Sequence, residues 1–157
     1  MNLSAYQDPK VIRKALSRPN VAIVGLSSNE LRASNFVGRY LLRNGYRIFP
    51  VNPREEEILG CKSWPTLQAI PENIDTVDVF RHPSAVPEVA TAAIEISASC
   101  LWLQYGVIDP DGIDIAVDGG LDVVADCCMK VEHARYRGRM HWLGFNTGRI
   151  SARRGGF

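Results

Sequence analysis

Short continuous apolar segments alternate along the chain with segments whose apolar residues recur at helical spacing. Five apolar runs have the length of buried strands, at residues 20–26, 46–51, 76–80, 100–104 and 121–125. Helical periodicity predicts helices at residues 10–16, 35–44, 66–70, 85–96 and 110–118. Such alternation at short intervals is typical of α/β proteins with a doubly wound parallel sheet. We therefore predict a single α/β domain whose parallel sheet has about five strands.

Polar, proline and glycine residues mark the ends of the predicted helices. Asp8 and Pro9 provide a cap and a first-turn signal for the first helix. Ser34 and Ser84 are predicted to cap the second and fourth helices, because a serine hydroxyl can accept a hydrogen bond from a first-turn N–H group. Gly45 fits the end of the second helix.

The first predicted strand leads into a polar loop that ends at a helix. Its candidate binding residues are Gly25, Ser27, Ser28, Arg32 and Ser34. A buried strand followed by a glycine and serine loop ahead of a helix presents backbone N–H groups and a positive helix end to a phosphate. The loop therefore predicts a ligand that resembles a nucleotide.

The end of the second predicted strand indicates which kind of nucleotide is bound. Asn52 and Pro53 end this strand, and Arg54 follows them. An NAD site instead uses an acidic residue near this position to hold the ribose hydroxyls. The arginine therefore favours a phosphorylated ribose.

Further candidate residues follow the third and fourth predicted strands. Phe80, Arg81 and Pro83 follow one, and Gln104 ends the other. Ligands of parallel α/β sheets bind outside the carboxyl ends of the strands, where all of these residues would meet. Phe80 could contact the ligand, or it could equally be the last core residue of its strand.

Composition limits the classes of function. The 157 residues suffice for one domain with a full core, and the formal net charge of +1 gives no general affinity for nucleic acid or membrane. No apolar run approaches the length of about 20 residues that spans a bilayer, and the first residues lack a signal-peptide pattern. We predict a cytoplasmic protein. Six arginines and no acidic residue follow Glu132, so a docking arm for an acidic protein or RNA is an alternative use of this tail.

The most reactive side chains near the end of the chain do not form a recognised catalytic or metal pattern. Cys127, Cys128, Glu132 and His133 do not have the spacing of a zinc site. We predict that Glu132 and His133 fix the last element by hydrogen bonds and that Cys128 is a buried apolar residue. No catalytic residue and no metal ligand is therefore assigned, and the cysteines are expected to be reduced.

Several segments together carry a family resemblance. They are Gly25-Leu26-Ser27, Arg32, Ser34, Gly45-Tyr46, Pro50–Pro53, Leu59-Gly60, Phe80-Arg81, Trp102–Gly106 and Asp126–His133. In this order they resemble the small CoA-binding proteins of bacteria, which are similar to the amino-terminal domain of the succinyl-CoA synthetase α subunit. The resemblance covers about residues 8 to 135 and implies a Rossmann-like CoA-binding domain at residues 1–136. Residues 137–157 are then a basic C-terminal extension.

The resemblance also implies roles for the candidate residues. It assigns the first loop to the CoA phosphates, Asn52, Pro53 and Arg54 to the nucleotide ribose and phosphate, and Phe80, Arg81 and Pro83 to the path of the adenosine or pantetheine. The synthetase reaction uses a phosphorylated histidine from a second domain, which has no counterpart here. The leading hypothesis is therefore a protein that binds CoA or an acyl-CoA without a reaction of its own.

Three alternatives remain open from the sequence. An NADP-dependent oxidoreductase, or another nucleotide-binding enzyme, could use Arg54 for the 2′-phosphate, although the loop lacks Gly-x-Gly-x-x-Gly. Cys127 or Cys128 could form a mixed disulfide with CoA if it lies near the pantetheine end. A protein partner or a homodimer is the third alternative.

Overall fold

The computed structural model describes residues 1–138. Its helices and strands follow in the order α1 (Pro9–Leu16), β1 (Asn20–Val24), α2 (Ala33–Arg43), β2 (Arg47–Val51), β3 (Glu57–Ile58), β4 (Cys61–Lys62), β5 (Thr76–Val79), α3 (Val86–Glu95), β6 (Cys100–Leu103), α4 (Pro110–Asp118), β7 (Asp122–Ala125) and α5 (Met129–His133). A π-helical turn at Ala134–Gly138 follows α5. Residues 139–157, most of the predicted basic extension, lie outside the described residues.

Five strands form one parallel sheet in the order β2-β1-β5-β6-β7. Neighbouring strands are in simple register, with Ala22 beside Phe49 on one side and beside Val77 on the other. Chain order reverses between β1 and β5, so these two strands form the topological switch point at which α/β sheets bind ligands. The predicted single domain with a Rossmann-like parallel sheet of five strands is confirmed.

Helices cover both faces of the sheet because its strands are apolar on both sides. On one face Ala22, Val24 and Val77 pack against α3 and α4. On the other face Ile23 and Trp102 pack against the apolar sides of α1, α2 and α5. The indole N–H of the fully buried Trp102 donates to the Cys127 carbonyl at 2.9 Å, so its one polar atom is satisfied. The sheet is therefore doubly wound.

Two of the predicted helix caps are confirmed. Asp8 accepts a hydrogen bond from the Lys10 N–H group at 2.9 Å, and Pro9 occupies the first turn of α1. Gly45 has φ of +87° directly after the C-cap of α2, as the predicted helix end requires. Within residues 1–138, no helix is both long enough and apolar enough to span a membrane.

The two predicted serine caps are wrong. Helix α2 begins at Ala33, so Ser34 lies inside its first turn, and Arg32 occupies the N-cap position without a side-chain hydrogen bond. The Ser34 hydroxyl oxygen instead accepts a hydrogen bond from the Ser27 N–H group. A 3₁₀ turn at Pro83–Ala85 precedes α3, and there the N–H group of Ser84 donates to the His82 ring.

A small hairpin at the edge of the sheet was not predicted. Strands β3 and β4 are antiparallel and are joined by Leu59 and Gly60, both of which have positive φ. The chain then returns to β2, where the Trp64 N–H group donates to the Pro50 carbonyl at 2.9 Å. Only a 3₁₀ turn at Leu67–Ala69 forms within the predicted helix at residues 66–70.

Candidate functional site

The carboxyl ends of the five parallel strands lie along one edge of the sheet, and the segments that follow them carry the predicted binding residues except Ser34, which lies in the first turn of α2. The loop at residues 25–32 follows β1, and the turn at residues 52–56 follows β2. Residues 80–83 and 104–106 follow β5 and β6. The loops after β1 and β5 flank the switch point, so they form the centre of the candidate site.

Gly25 connects three strands at this edge. Its N–H group donates to the Val51 carbonyl at 3.0 Å, and the neighbouring Val24 carbonyl accepts from the Phe80 N–H group at 2.8 Å. Its φ of +88° is a backbone conformation that residues other than glycine rarely adopt. The glycine thus allows the loop to leave β1 while β2 and β5 stay close on either side.

Hydrogen bonds within the chain fix the shape of the loop after β1. The N–H group of Ser27 donates to the Ser34 hydroxyl at 3.0 Å, and the Ser27 hydroxyl accepts from the Asn29 N–H group at 3.0 Å. The side-chain amide of the buried Asn35 donates to the Ser27 carbonyl at 2.8 Å. The loop therefore reaches the start of α2 in a fixed conformation. The first-turn N–H group of Asn35 donates to the Arg32 carbonyl at 3.0 Å, and the two N–H groups before it lie where a helix supplies no backbone acceptor of its own.

The turn after β2 is tied to this loop at two points. The side-chain amide of Asn52 donates to the Leu26 carbonyl at 3.0 Å, and the Asn52 amide oxygen accepts from the Arg54 N–H group at 2.9 Å. The Ser28 hydroxyl donates to the carboxylate of Glu55. Asn52 therefore determines the path of the turn, and the turn brings an acidic residue to the loop after β1.

Sequence reasoning missed Glu55. A phosphorylated ribose was predicted because Arg54, and not an acid, follows the end of β2. In the structure, the carboxylate of Glu55, three positions after Asn52, accepts a hydrogen bond from Ser28. The available signal was the Asn-Pro pair, which predicts a tight turn and hence a return of the next residues toward the sheet.

Three arginines supply the cations around the site. Arg32 and Arg54 are exposed, and neither guanidinium group forms an ion pair within residues 1–138. Arg81 lies after β5, with its Nη1 atom 3.7 Å from the exposed Glu88 carboxylate. Arg32 and Arg54 are therefore available to bind an anion.

Phe80 and Gln104 combine a place at the site edge with structural contacts. Phe80 is half-buried and packs against the core on the side of α1, α2 and α5. Gln104 is buried, and its side-chain oxygen accepts from the N–H group of Met129, the first residue of α5, at 3.1 Å. Pro83 opens the 3₁₀ turn that precedes α3. Contact of these three residues with a ligand remains a prediction.

The predicted structural roles near the end of the chain are confirmed. The buried Glu132 accepts two hydrogen bonds from Arg135, at 3.0 and 3.1 Å, and His133 Nδ1 lies 2.8 Å from the Tyr40 hydroxyl. Cys128 is buried. Among residues 1–138, no group of three or more histidine, cysteine or acidic side chains is arranged to hold a metal ion.

Cys127 is poorly suited to exchange with the ligand thiol. Its side chain is buried, and burial together with Glu132 and Asp126 raises its pKa to about 11. Thiol exchange requires the thiolate, so this environment disfavours the mixed disulfide.

The chain resembles known proteins over most of its length. The profile of a family described as CoA binding domain matches residues 19–134. The YneT protein of Bacillus subtilis is 37% identical over 124 residues, which cover 78% of this chain and 92% of YneT. A solved structure of a hypothetical protein from Pyrococcus horikoshii OT3 is 37% identical and superposes with a TM-score of 0.83, over 88% of this chain and 98% of that one. The ADP-forming acetate–CoA ligase I of Archaeoglobus fulgidus is 27% identical over 119 residues, which are 69% of this chain and 17% of that ligase.

Proposed function

This chain belongs to the CoA binding domain family, and we propose that it binds CoA or an acyl-CoA at the carboxyl edge of its sheet without a reaction of its own. The observation that carries the proposal is the ordered loop between β1 and α2, which lies at the switch point beside two exposed arginines that form no ion pair within residues 1–138.

Each part of CoA has a complementary group at this edge. The pyrophosphate accepts hydrogen bonds from the loop and from the first turn of α2, where backbone N–H groups and the helix dipole favour an anion. The ribose 3′-phosphate pairs with Arg54 or Arg32, because charge-assisted hydrogen bonds to phosphate are strong. The adenosine and pantetheine pass Phe80, Arg81 and Pro83, and Gln104 lies at the next strand end.

The proposal assigns binding and no chemistry. Two titratable side chains of α5, Glu132 and His133, are engaged with Arg135 and Tyr40. The ligase whose name specifies a CoA reaction is matched over only 17% of its own length, so its activity is not transferred to this chain. The NADP-dependent oxidoreductase would use the same Arg54 for a 2′-phosphate, and it serves as the competing outcome of the test.

Isothermal titration calorimetry with CoA, dephospho-CoA, NADP and NAD tests the proposal. We expect CoA to bind, and dephospho-CoA to bind more weakly because it lacks the 3′-phosphate. Native mass spectrometry of the same mixtures would give the stoichiometry. Binding of NADP without CoA would overturn the proposal and favour the enzyme, and binding of none of the four ligands would also overturn it.

A further inference from the structure

The carboxylate of Glu55 lies where the phosphate loop after β1 meets the turn after β2. The Ser28 hydroxyl donates a hydrogen bond to this carboxylate. The side-chain amide of Asn52 donates to the Leu26 carbonyl and so joins the same two segments closer to the strand ends. Glu55 is half-buried, and with Asn52 and Lys62 it lines a concavity at the carboxyl end of β2. The carboxylate therefore lies at the junction of the loop after β1 and the turn after β2.

An acidic group in this position is unfavourable for one part of the ligand and favourable for another. A carboxylate repels a phosphate group, but it is a strong acceptor for a hydroxyl donor. Dinucleotide-binding sheets use an acid at the end of the second strand of the unit to hold ribose hydroxyls. Glu55 follows the end of β2 by four residues, and the turn brings its carboxylate to the Ser28 hydroxyl of the loop after β1.

Arg54, which precedes Glu55 in the chain, indicates which hydroxyl of the ribose Glu55 would contact. Arg54 is the exposed cation of the same turn, and it forms no ion pair within the described part of the chain. The 2′ and 3′ carbons of a ribose are adjacent, so a 3′-phosphate on a cation leaves the 2′-hydroxyl directly beside it. The turn after β2 thus carries a cation and a carboxylate at consecutive positions of the chain.

We propose that Glu55 accepts a hydrogen bond from the 2′-hydroxyl of the CoA ribose and excludes a 2′-phosphate, which makes it a specificity-determining residue. The inference rests on the proposed function and explains how one site takes a 3′-phosphorylated ribose and rejects NADP. Rejection follows from like charge, the means by which binding sites commonly exclude a wrong ligand.

A purely structural role for Glu55 predicts a different result. If Glu55 only held the loop through Ser28, its replacement would weaken both phosphate isomers by the same factor. The discriminating quantity is therefore the ratio of two affinities and not either affinity alone.

The test uses adenosine 3′,5′-bisphosphate and adenosine 2′,5′-bisphosphate, titrated calorimetrically into the wild type and Glu55→Gln, with CoA as a third ligand. Glutamine keeps the shape and an oxygen acceptor for Ser28 but removes the charge. The matched control is Glu57→Gln, because Glu57 is an exposed acid on β3, two positions away. Thermal unfolding of each variant verifies the fold.

We expect the wild type to prefer the 3′,5′ isomer, and Glu55→Gln to lower that preference by about tenfold or more while Glu57→Gln leaves it unchanged. An unchanged ratio in Glu55→Gln, with CoA still bound by the wild type, would overturn this inference and leave the proposed function intact. A wild type that binds neither CoA nor either bisphosphate would overturn both.

Discussion

The backbone of Gly25 packs so closely against Phe80 that a Cβ atom built on Gly25 would lie 2.4 Å from the Phe80 carbonyl oxygen. This approach joins the ends of β1 and β5 at the switch point, where the candidate site is centred. The oxygen belongs to backbone that is itself hydrogen-bonded to β1, so it cannot simply move away. The close approach therefore couples the stability of the sheet edge to the conformation of the loop after β1.

Replacing this glycine should destabilise the protein and abolish ligand binding. Gly25→Ala adds a methyl group at a contact with no room and at a positive φ. Overpacking costs about 1–3 kcal/mol and the backbone conformation about 1–2 kcal/mol more. We expect urea unfolding to show a loss of about 2–5 kcal/mol, and calorimetry to show no CoA binding.

A second glycine separates the two contributions. Gly45 has almost the same φ, +87°, but a Cβ built there meets nothing within 4 Å. Gly45→Ala should therefore cost only about 1–2 kcal/mol and leave CoA affinity unchanged. Equal losses of stability in the two variants would show that the contact with Phe80 is not responsible.

Arg54→Ala should weaken CoA much more than dephospho-CoA. Only CoA carries the 3′-phosphate, and of the two arginines proposed for that group Arg54 lies in the same turn as Glu55. Loss of one charge-assisted hydrogen bond, worth about 1.5–3 kcal/mol, corresponds to about a tenfold or greater loss of CoA affinity. Calorimetric titration of both ligands into the variant measures the difference.

Arg43→Ala provides the control for this prediction. Arg43 ends α2 and therefore lies at the edge of the sheet opposite the candidate site. Its removal changes the net charge equally and should leave both affinities unchanged. If Arg54→Ala weakened CoA and dephospho-CoA by the same factor, Arg54 would not be the partner of the 3′-phosphate.

The sheet was predictable from the sequence because its strands are short, apolar and buried on both faces. The run at residues 20–26 predicted β1, although the strand ends at Val24, where the chain turns at Gly25. The predicted serine caps failed for a local reason. Ser34 bonds to Ser27, seven residues away, and short-range spacing does not reveal such a contact.

The candidate site was predictable in its location and only partly in its construction. The topology alone brings the ends of β1, β2 and β5 together, so the edge could be identified. The contacts of Asn52 with Leu26 and of Ser28 with Glu55 join segments 26 and 27 residues apart in the chain. Their partners depend on the path of the turn after β2, which periodicity does not encode.

Asp78 should make the protein less stable as the pH rises. The residue is fully buried in β5, and neither carboxylate oxygen has a hydrogen-bond partner within residues 1–138. Burial raises its pKa well above the usual value, so the folded protein keeps a proton that the unfolded chain releases above about pH 4. Stability is then fully present below that pH and falls as the pH rises toward the folded-state pKa, by up to about 1.4 kcal/mol per pH unit.

Asp78→Asn should remove this dependence, since asparagine resembles the neutral acid in shape and does not titrate. The difference in unfolding free energy, variant minus wild type, should increase with pH in a series of urea unfolding curves. The exposed Asp114 on α4 gives the control variant Asp114→Asn, for which the difference should stay flat. A flat difference for Asp78→Asn as well would show that Asp78 is ionised in the folded protein.

His133 should make the protein less stable as the pH falls. Burial, and secondarily the charge of Arg137, lower its pKa from 6.5 to about 4, so the folded protein holds it neutral. Below pH 6.5 the histidine is protonated in the unfolded chain, but in the folded protein it stays neutral down to about pH 4. The free energy of unfolding therefore decreases as the pH falls from 6.5 to about 4, by up to about 3 kcal/mol. His133→Gln should be less stable than the wild type at neutral pH, but urea unfolding should show the gap narrowing as the pH falls. Tyr40→Phe removes the hydroxyl that contacts His133 Nδ1 and keeps the titrating ring, so it should retain the wild-type pH dependence. A gap between His133→Gln and the wild type that stays constant from pH 7 to pH 4 would contradict a buried neutral histidine.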